Sequence, residues 1–121
     1  MFVKTKGVCT FAQKKLKIKM ADLLQDEWVE KLEKDNNAFI LDVRTPEEVD
    51  QGQIPDAINL NIYLGPEFLE ELKKLDKSKN YYVYCRSGQR SRQACAIMNS
   101  IGIPNAYNLM GGILEWNGDI I

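Results

Sequence analysis

The chain has 121 residues, 45% of them hydrophobic and 27% charged, which fits one packed domain and excludes a disordered chain or two full domains. It contains no histidine, which removes Ser–His and Cys–His dyads and most zinc and haem sites. Net charge is −1, yet residues 1–19 carry six lysines and no acid, while the remainder carries ten Lys or Arg against seventeen acids.

The three cysteines, at 9, 85 and 95, form neither a disulfide framework nor a CxxC pair, so reduced thiols in a cytoplasmic protein are expected, with no metal and no cofactor. No apolar run approaches the roughly 20 residues of a spanning helix. Lys4, Lys6, Lys14 and Lys15 interrupt the apolar stretches where a signal peptide would lie. Neither a membrane nor a nucleic acid is expected as partner. The basic extension, 1–19, reads best as leading into an edge strand, because Leu16-Lys17-Ile18-Lys19-Met20 alternates and outward lysines discourage strand pairing between molecules. The domain proper then runs over 20–121.

In chain order, residues 26–34 predict a helix with Asp26 as N-cap and Trp28, Val29 and Leu32 on one face. Phe39-Ile40-Leu41-Asp42-Val43 is a short apolar run, read as a buried strand ending at Arg44. Thr45-Pro46-Glu47-Glu48 is a helix start: a capping hydroxyl, proline at the first position, acids in the first turn. Ala57-Ile58-Asn59-Leu60 is a further strand, and residues 66–75 give an amphipathic helix with Phe68, Leu69, Leu72 and Leu75 apolar. Tyr81-Tyr82-Val83-Tyr84 is the most β-prone run and leads straight into Cys85. A helix from about Ser91 to Ile101 follows, then a strand at Ala106-Tyr107-Asn108-Leu109 and a short helix opened by Gly111-Gly112. Strands separated by helices imply an α/β fold, a mainly parallel sheet with helices on both faces. In such sheets the ligand site lies at the carboxyl ends of the strands, where Cys85 sits.

The run Cys85-Arg86-Ser87-Gly88-Gln89-Arg90-Ser91 combines a strand end, a tight polar loop and a helix start. Successive N–H groups in such a loop can curl into an anion-binding nest, and the helix N-terminus adds positive potential. Gly88 permits the torsions, Arg86 and Arg90 bring full charges, and a thiolate held there has a depressed pKa without any histidine. A core cysteine is the alternative reading of Cys85, and the density of Arg, Ser and Gly around it weighs against that.

Three blocks then carry a resemblance: Leu41-Asp42-Val43-Arg44-Thr45-Pro46-Glu47-Glu48 continuing through Gly52-Gln53-Ile54-Pro55-Asp56-Ala57-Ile58-Asn59, the Cys85–Ser91 loop, and Leu109-Met110-Gly111-Gly112-Ile113-Leu114-Glu115-Trp116. With these, residues 20–117 resemble the single-domain rhodanese family of sulfurtransferases. Gln53 and Asp56 depart from the family's usual histidine and glycine, which touches local turn geometry rather than the cysteine loop. The resemblance implies a rhodanese-like sheet of about five strands and Cys85 as the persulfide-carrying, catalytic residue. It also implies that Arg86, Ser87, Gly88, Gln89, Arg90 and Ser91 hold the sulfur and its donor.

The expected chemistry is enzymatic sulfur transfer from a small sulfur-containing anion such as thiosulfate to a thiophilic acceptor. The alternative is a carrier exchanging persulfide with protein donors or acceptors, as a monomer or weak dimer. A phosphatase or arsenate-reducing enzyme is disfavoured, because the loop is Cys-x4-Arg and the related phosphatases use Cys-x5-Arg. Asp42 and Arg44 read as bracing for the loop or as an ion pair tying strand to helix, with Glu48 as a further partner for Arg44. Cys95 reads as core, and Tyr63, Leu64 and Met110 read either as a rim to the pocket or as packing, with packing favoured.

Overall fold

The structure, a computed structural model, describes residues 22–121. The basic extension, Cys9 and the strand expected at 16–20 lie outside the described residues. Five strands form one sheet: β1 (Asp22–Leu23), β2 (Ala38–Asp42), β3 (Ala57–Asn59), β4 (Asn80–Tyr84) and β5 (Ala106–Leu109). Their order is β1-β5-β4-β2-β3 and every pairing is parallel. The α/β class and the mainly parallel five-stranded sheet therefore hold. One strand is new: Asp22 and Leu23 lie opposite Asn108 and Leu109, and two residues are too few to show an alternation in sequence.

Among the described residues, four α-helices cover the sheet: α1 (Gln25–Glu33), α2 (Pro46–Val49), α3 (Pro66–Lys73) and α4 (Gln89–Ser100), with 3-10 turns at Ile62–Leu64 and Ile113–Glu115. The period-2 alternation of β4 decides which helix packs where. Tyr81, Val83 and Cys85 face one core with Leu41, Val43, Phe68 and Leu72 and with Ala94, Cys95 and Met98 of α4. Tyr82 and Tyr84 face the other, where Trp28 of α1 is fully buried. Trp28 meets Tyr82 and Trp116 edge-on at 5.7 and 5.8 Å and donates its indole N–H to Tyr107 O at 3.1 Å. Each such fully buried side chain stabilises the fold by roughly 1.5–3 kcal/mol.

Thr45 caps α2 as its sequence predicts, in a reciprocal box with Glu48. Two other helix starts differ. The N-cap of α1 is Leu24, with no side-chain cap, and Asp26 lies in the first turn, where it interacts with the helix dipole instead. Helix α4 begins at Gln89, two residues before Ser91, because Gly88 at φ +101° turns the chain directly into helical geometry. That early start draws Gln89 and Arg90 into the first helical turn. The central strand β4, flanked by β5 and β2, thus delivers Cys85 to the carboxyl edge of the sheet, beneath the start of α4.

Candidate active site

Cys85 follows the last residue of β4 and its side chain continues the inward alternation, so it is fully buried. The loop after it curls back over the sulfur. Gly88 donates its N–H to Cys85 Sγ at 3.1 Å, and the Ser91 hydroxyl lies 3.4 Å from the same atom. Burial alone would push the Cys85 thiol up. Hydrogen bonds from the Ser91 hydroxyl and from the Ser91, Gly88 and Ser87 N–H groups outweigh that and hold it below its ordinary value. Thiolate is therefore favoured by backbone and hydroxyl donors, as a chain without histidine requires.

The back of the loop is clamped by the segment after β5. Ile113 N–H donates to Cys85 O and Leu114 N–H to Arg86 O, each at 3.0 Å. Such an approach demands glycine at 112: a Cβ there would lie 2.4 Å from Arg86 O and 2.7 Å from Cys85 O. Gly88 is placed less tightly, with an added Cβ 3.2 Å from Gly111 N. The third sequence block thus acts as the mould in which the cysteine loop is set.

The two arginines do different things. Arg86 is exposed. Arg90 makes a bidentate pair with Glu48, at 2.7 and 2.8 Å, and stacks against the exposed ring of Tyr63 at 5.3 Å. The Arg90 bonds, together with those from Thr45 and against the pull of burial, hold the Glu48 carboxyl at about 2. Arg90 therefore enters the site already neutralised, and its charge is not delivered to the sulfur by a hydrogen bond. Ser87 and Gln89 are exposed at the loop surface, and Ser91 is fully buried.

Arg44 does not pair with the Glu48 carboxylate. It forms a buried bidentate pair with Asp42, the Nη2–Oδ2 distance being 2.6 Å, and reaches the Glu48 and Gly52 carbonyls. The Tyr84 hydroxyl donates to Asp42 Oδ2 at 2.7 Å and accepts from Ile54 N–H at 3.0 Å. This network ties β2, β4 and the turn before β3 together just ahead of Cys85. Cys95 packs into the core as its sequence suggests, and burial pushes its thiol up. Tyr63, Leu64 and Met110 are not packing residues: they are 68%, 48% and 44% exposed, because each sits in a turn that leaves the sheet.

A family model, the rhodanese-like domain, matches residues 25–119. The chain belongs to the rhodanese-like family. A sulfurtransferase of Allochromatium vinosum is 42% identical to this rhodanese-like chain over 80 residues, covering 66% of the chain and 72% of the relative. A tRNA uridine(34) hydroxylase of Pelagibacter ubique is 32% identical over 100 residues, which cover 74% of the chain and 33% of that protein. Among solved structures, the rhodanese-like domain protein from Staphylococcus aureus superposes with a TM-score of 0.67 at 34% identity, over 81% of this chain and 91% of the other.

Sequence reasoning about this rhodanese-like domain passes over Asp22 and Asn108. Asn108 is 2% exposed and donates to Asp22 Oδ1 at 2.9 Å and to Gly88 O at 3.1 Å, while its side-chain oxygen meets the Ser91 hydroxyl. The available signal was an amide inside the otherwise apolar run of β5, a place where polar groups persist only when satisfied.

Proposed function

We propose that the protein is a sulfurtransferase that carries a sulfane sulfur as a persulfide on Cys85. The observation that carries this is the sulfur atom itself: buried at the end of the central strand, ringed by N–H and hydroxyl donors, and held toward thiolate. The family membership and the sulfurtransferase of Allochromatium vinosum support the same reading.

The reaction has two displacements. The Cys85 thiolate attacks the outer sulfur of thiosulfate, the S–S bond breaks with its electron pair on sulfite, and a Cys85 persulfide anion remains. A thiophilic nucleophile then attacks the outer persulfide sulfur and returns the Cys85 thiolate: cyanide leaves as thiocyanate, and a thiolate leaves as its own persulfide. Charge and electrons balance in each step without a cofactor, a ping-pong course typical of covalent catalysis. Loop N–H groups stabilise the anionic sulfur, and the exposed Arg86 attracts the donor anion.

Phosphoryl or arsenate chemistry is weighed down by Arg90. A bound oxyanion would have to displace the bidentate Glu48 carboxylate from that guanidinium. Protein thiols as acceptors are favoured by the exposed Tyr63, Leu64, Met110 and Leu114, apolar surface that a small anion does not need.

The test is Cys85→Ser with thiosulfate and cyanide. Thiocyanate production should fall to background, and intact-mass analysis after thiosulfate treatment should show one added sulfur on the wild type only. Undiminished turnover in the variant would overturn the assignment.

A further inference from the structure

Ser91 stands between two acceptors and has one hydrogen to give. Its hydroxyl oxygen lies 3.4 Å from Cys85 Sγ and in hydrogen-bond contact with Asn108 Oδ1. The amide cannot turn to resolve the conflict. Both Nδ2 hydrogens are committed, one to Asp22 Oδ1 and one to Gly88 O, so the oxygen must face Ser91. All three groups are buried, so water does not readily replace a lost partner.

We propose that Asn108 is a positioning residue whose side-chain oxygen competes with the Cys85 sulfur for the single hydroxyl proton of Ser91. While Cys85 is a thiol, its S–H donates to Ser91 Oγ and Ser91 donates to Asn108. When the sulfur becomes a thiolate, Ser91 turns to it, and Asn108 Oδ1 is left as a buried acceptor without a donor. Once Cys85 carries a persulfide, the charge moves to the outer sulfur and the hydroxyl proton returns to Asn108. Ser91 thus follows the loading state of the cysteine.

The chemical consequence is restraint. The loop donors lower the Cys85 pKa; Asn108 limits how far it falls, keeping the sulfur a better nucleophile, since nucleophilicity declines as thiol pKa declines. Among the described residues, the charged and titratable groups around the sulfur are few. Arg86 and Arg90 lie on the loop and the first turn of α4, with Arg90 neutralised by Glu48 of α2. Asp22 of β1 lies beyond Asn108 and pairs with Arg92 at 3.3 Å. Cys95 lies on the same face of α4, and the Asp42–Arg44 pair at the end of β2.

The inference rests on Cys85 being the reactive thiol, not on which donor loads it, so alkylation tests it without thiosulfate. The experiment is the pH dependence of iodoacetamide reaction at Cys85, resolved from Cys9 and Cys95 by peptide mass spectrometry. Asn108→Leu should lower the apparent pKa of Cys85 by about one unit, a tenfold change in thiolate fraction below the pKa. Ser91→Ala should raise it. In the Ser91→Ala background, adding Asn108→Leu should change nothing, because the contested proton is gone.

A purely structural brace on Gly88 predicts otherwise: Asn108→Leu would then shift the pKa equally with or without Ser91, and that result overturns the proposal, as does a rise in the single variant. Should leucine prevent folding, Asn108→Ala reads the same sign in the same cycle. If Cys85 alkylates normally and the cycle closes as stated while thiosulfate turnover is absent, the proposed function fails and this inference stands.

Discussion

Gly112 shows how a single residue far along the chain governs the cysteine. It holds φ +58°, and its missing Cβ is the space occupied by Arg86 O and Cys85 O. The backbone contact there is what allows Ile113 and Leu114 to hydrogen-bond the loop from behind. In Gly112→Ala the methyl group meets the main chain of Cys85 and Arg86, with no flexible side-chain end to yield. The loop must move, and with it the Gly88 N–H that supports the thiolate. Thiosulfate turnover should fall by about tenfold or more, since one misplaced donor to developing negative charge costs on that order or more. The apparent pKa of Cys85 should rise. A melting curve recorded alongside separates this from unfolding, and an unchanged pH–alkylation profile would contradict the clamp.

At the scale of elements, α2 and α4 are joined over the sheet edge by Glu48 and Arg90. The pair is half-buried, with side-chain exposures of 26% and 18%, and it is bidentate. The Glu48 carboxyl is held at about 2, below its ordinary 4.5, chiefly by the Arg90 bonds. A depressed folded-state pKa gives stability that is fully present above the unfolded value and is lost as pH falls. The window therefore runs from about 4.5 down to about 2. Wild type should lose on the order of 1–3 kcal/mol more than Glu48→Gln across that window, allowing for solvent screening. Urea unfolding at stepped pH measures the difference, and parallel curves for the two proteins would rule the pair out as a pH-dependent tie.

This contact also marks where the sequence stops being legible. Thr45-Pro46-Glu47-Glu48 announces a helix start because capping is local, and the reciprocal cap with Glu48 is there. The partner of the Glu48 carboxylate is not local. Arg44 is four residues away and Arg90 forty-two, yet the parallel crossover brings Arg90 to it and leaves Arg44 to Asp42. Tyr63, Leu64 and Met110 follow the same logic in reverse. Their apolar character suggests packing, but turns leaving the sheet carry them outward. The Cys85 loop was readable because its residues are contiguous and its chemistry is unusual. Asn108 was not, because its meaning depends on Ser91, Gly88 and Asp22 converging from three other segments.

For the whole molecule, the sheet separates two cores, and the Cys85 side chain belongs to only one of them. Cys85 packs with α3 and α4, while Trp28 anchors α1 and the residues after β5 to the opposite face. Its rings meet Tyr82 and Trp116 edge-on, and its N–H satisfies Tyr107 O in the neighbouring strand. Trp28→Phe keeps an aromatic body but removes that donor and leaves part of the indole volume empty. Losing that hydrogen bond and part of the packed volume costs roughly 1–3 kcal/mol, a loss of several degrees in melting temperature for a chain of this size. Because Val83 and Cys85 face away from Trp28, the pH profile of Cys85 alkylation should be unchanged below the melting transition. Thermal unfolding and site-resolved alkylation on the same sample decide it. A shifted Cys85 profile in a folded Trp28→Phe protein would mean that the two faces are coupled through β4, and the sheet could not then be treated as a rigid partition between stability and chemistry.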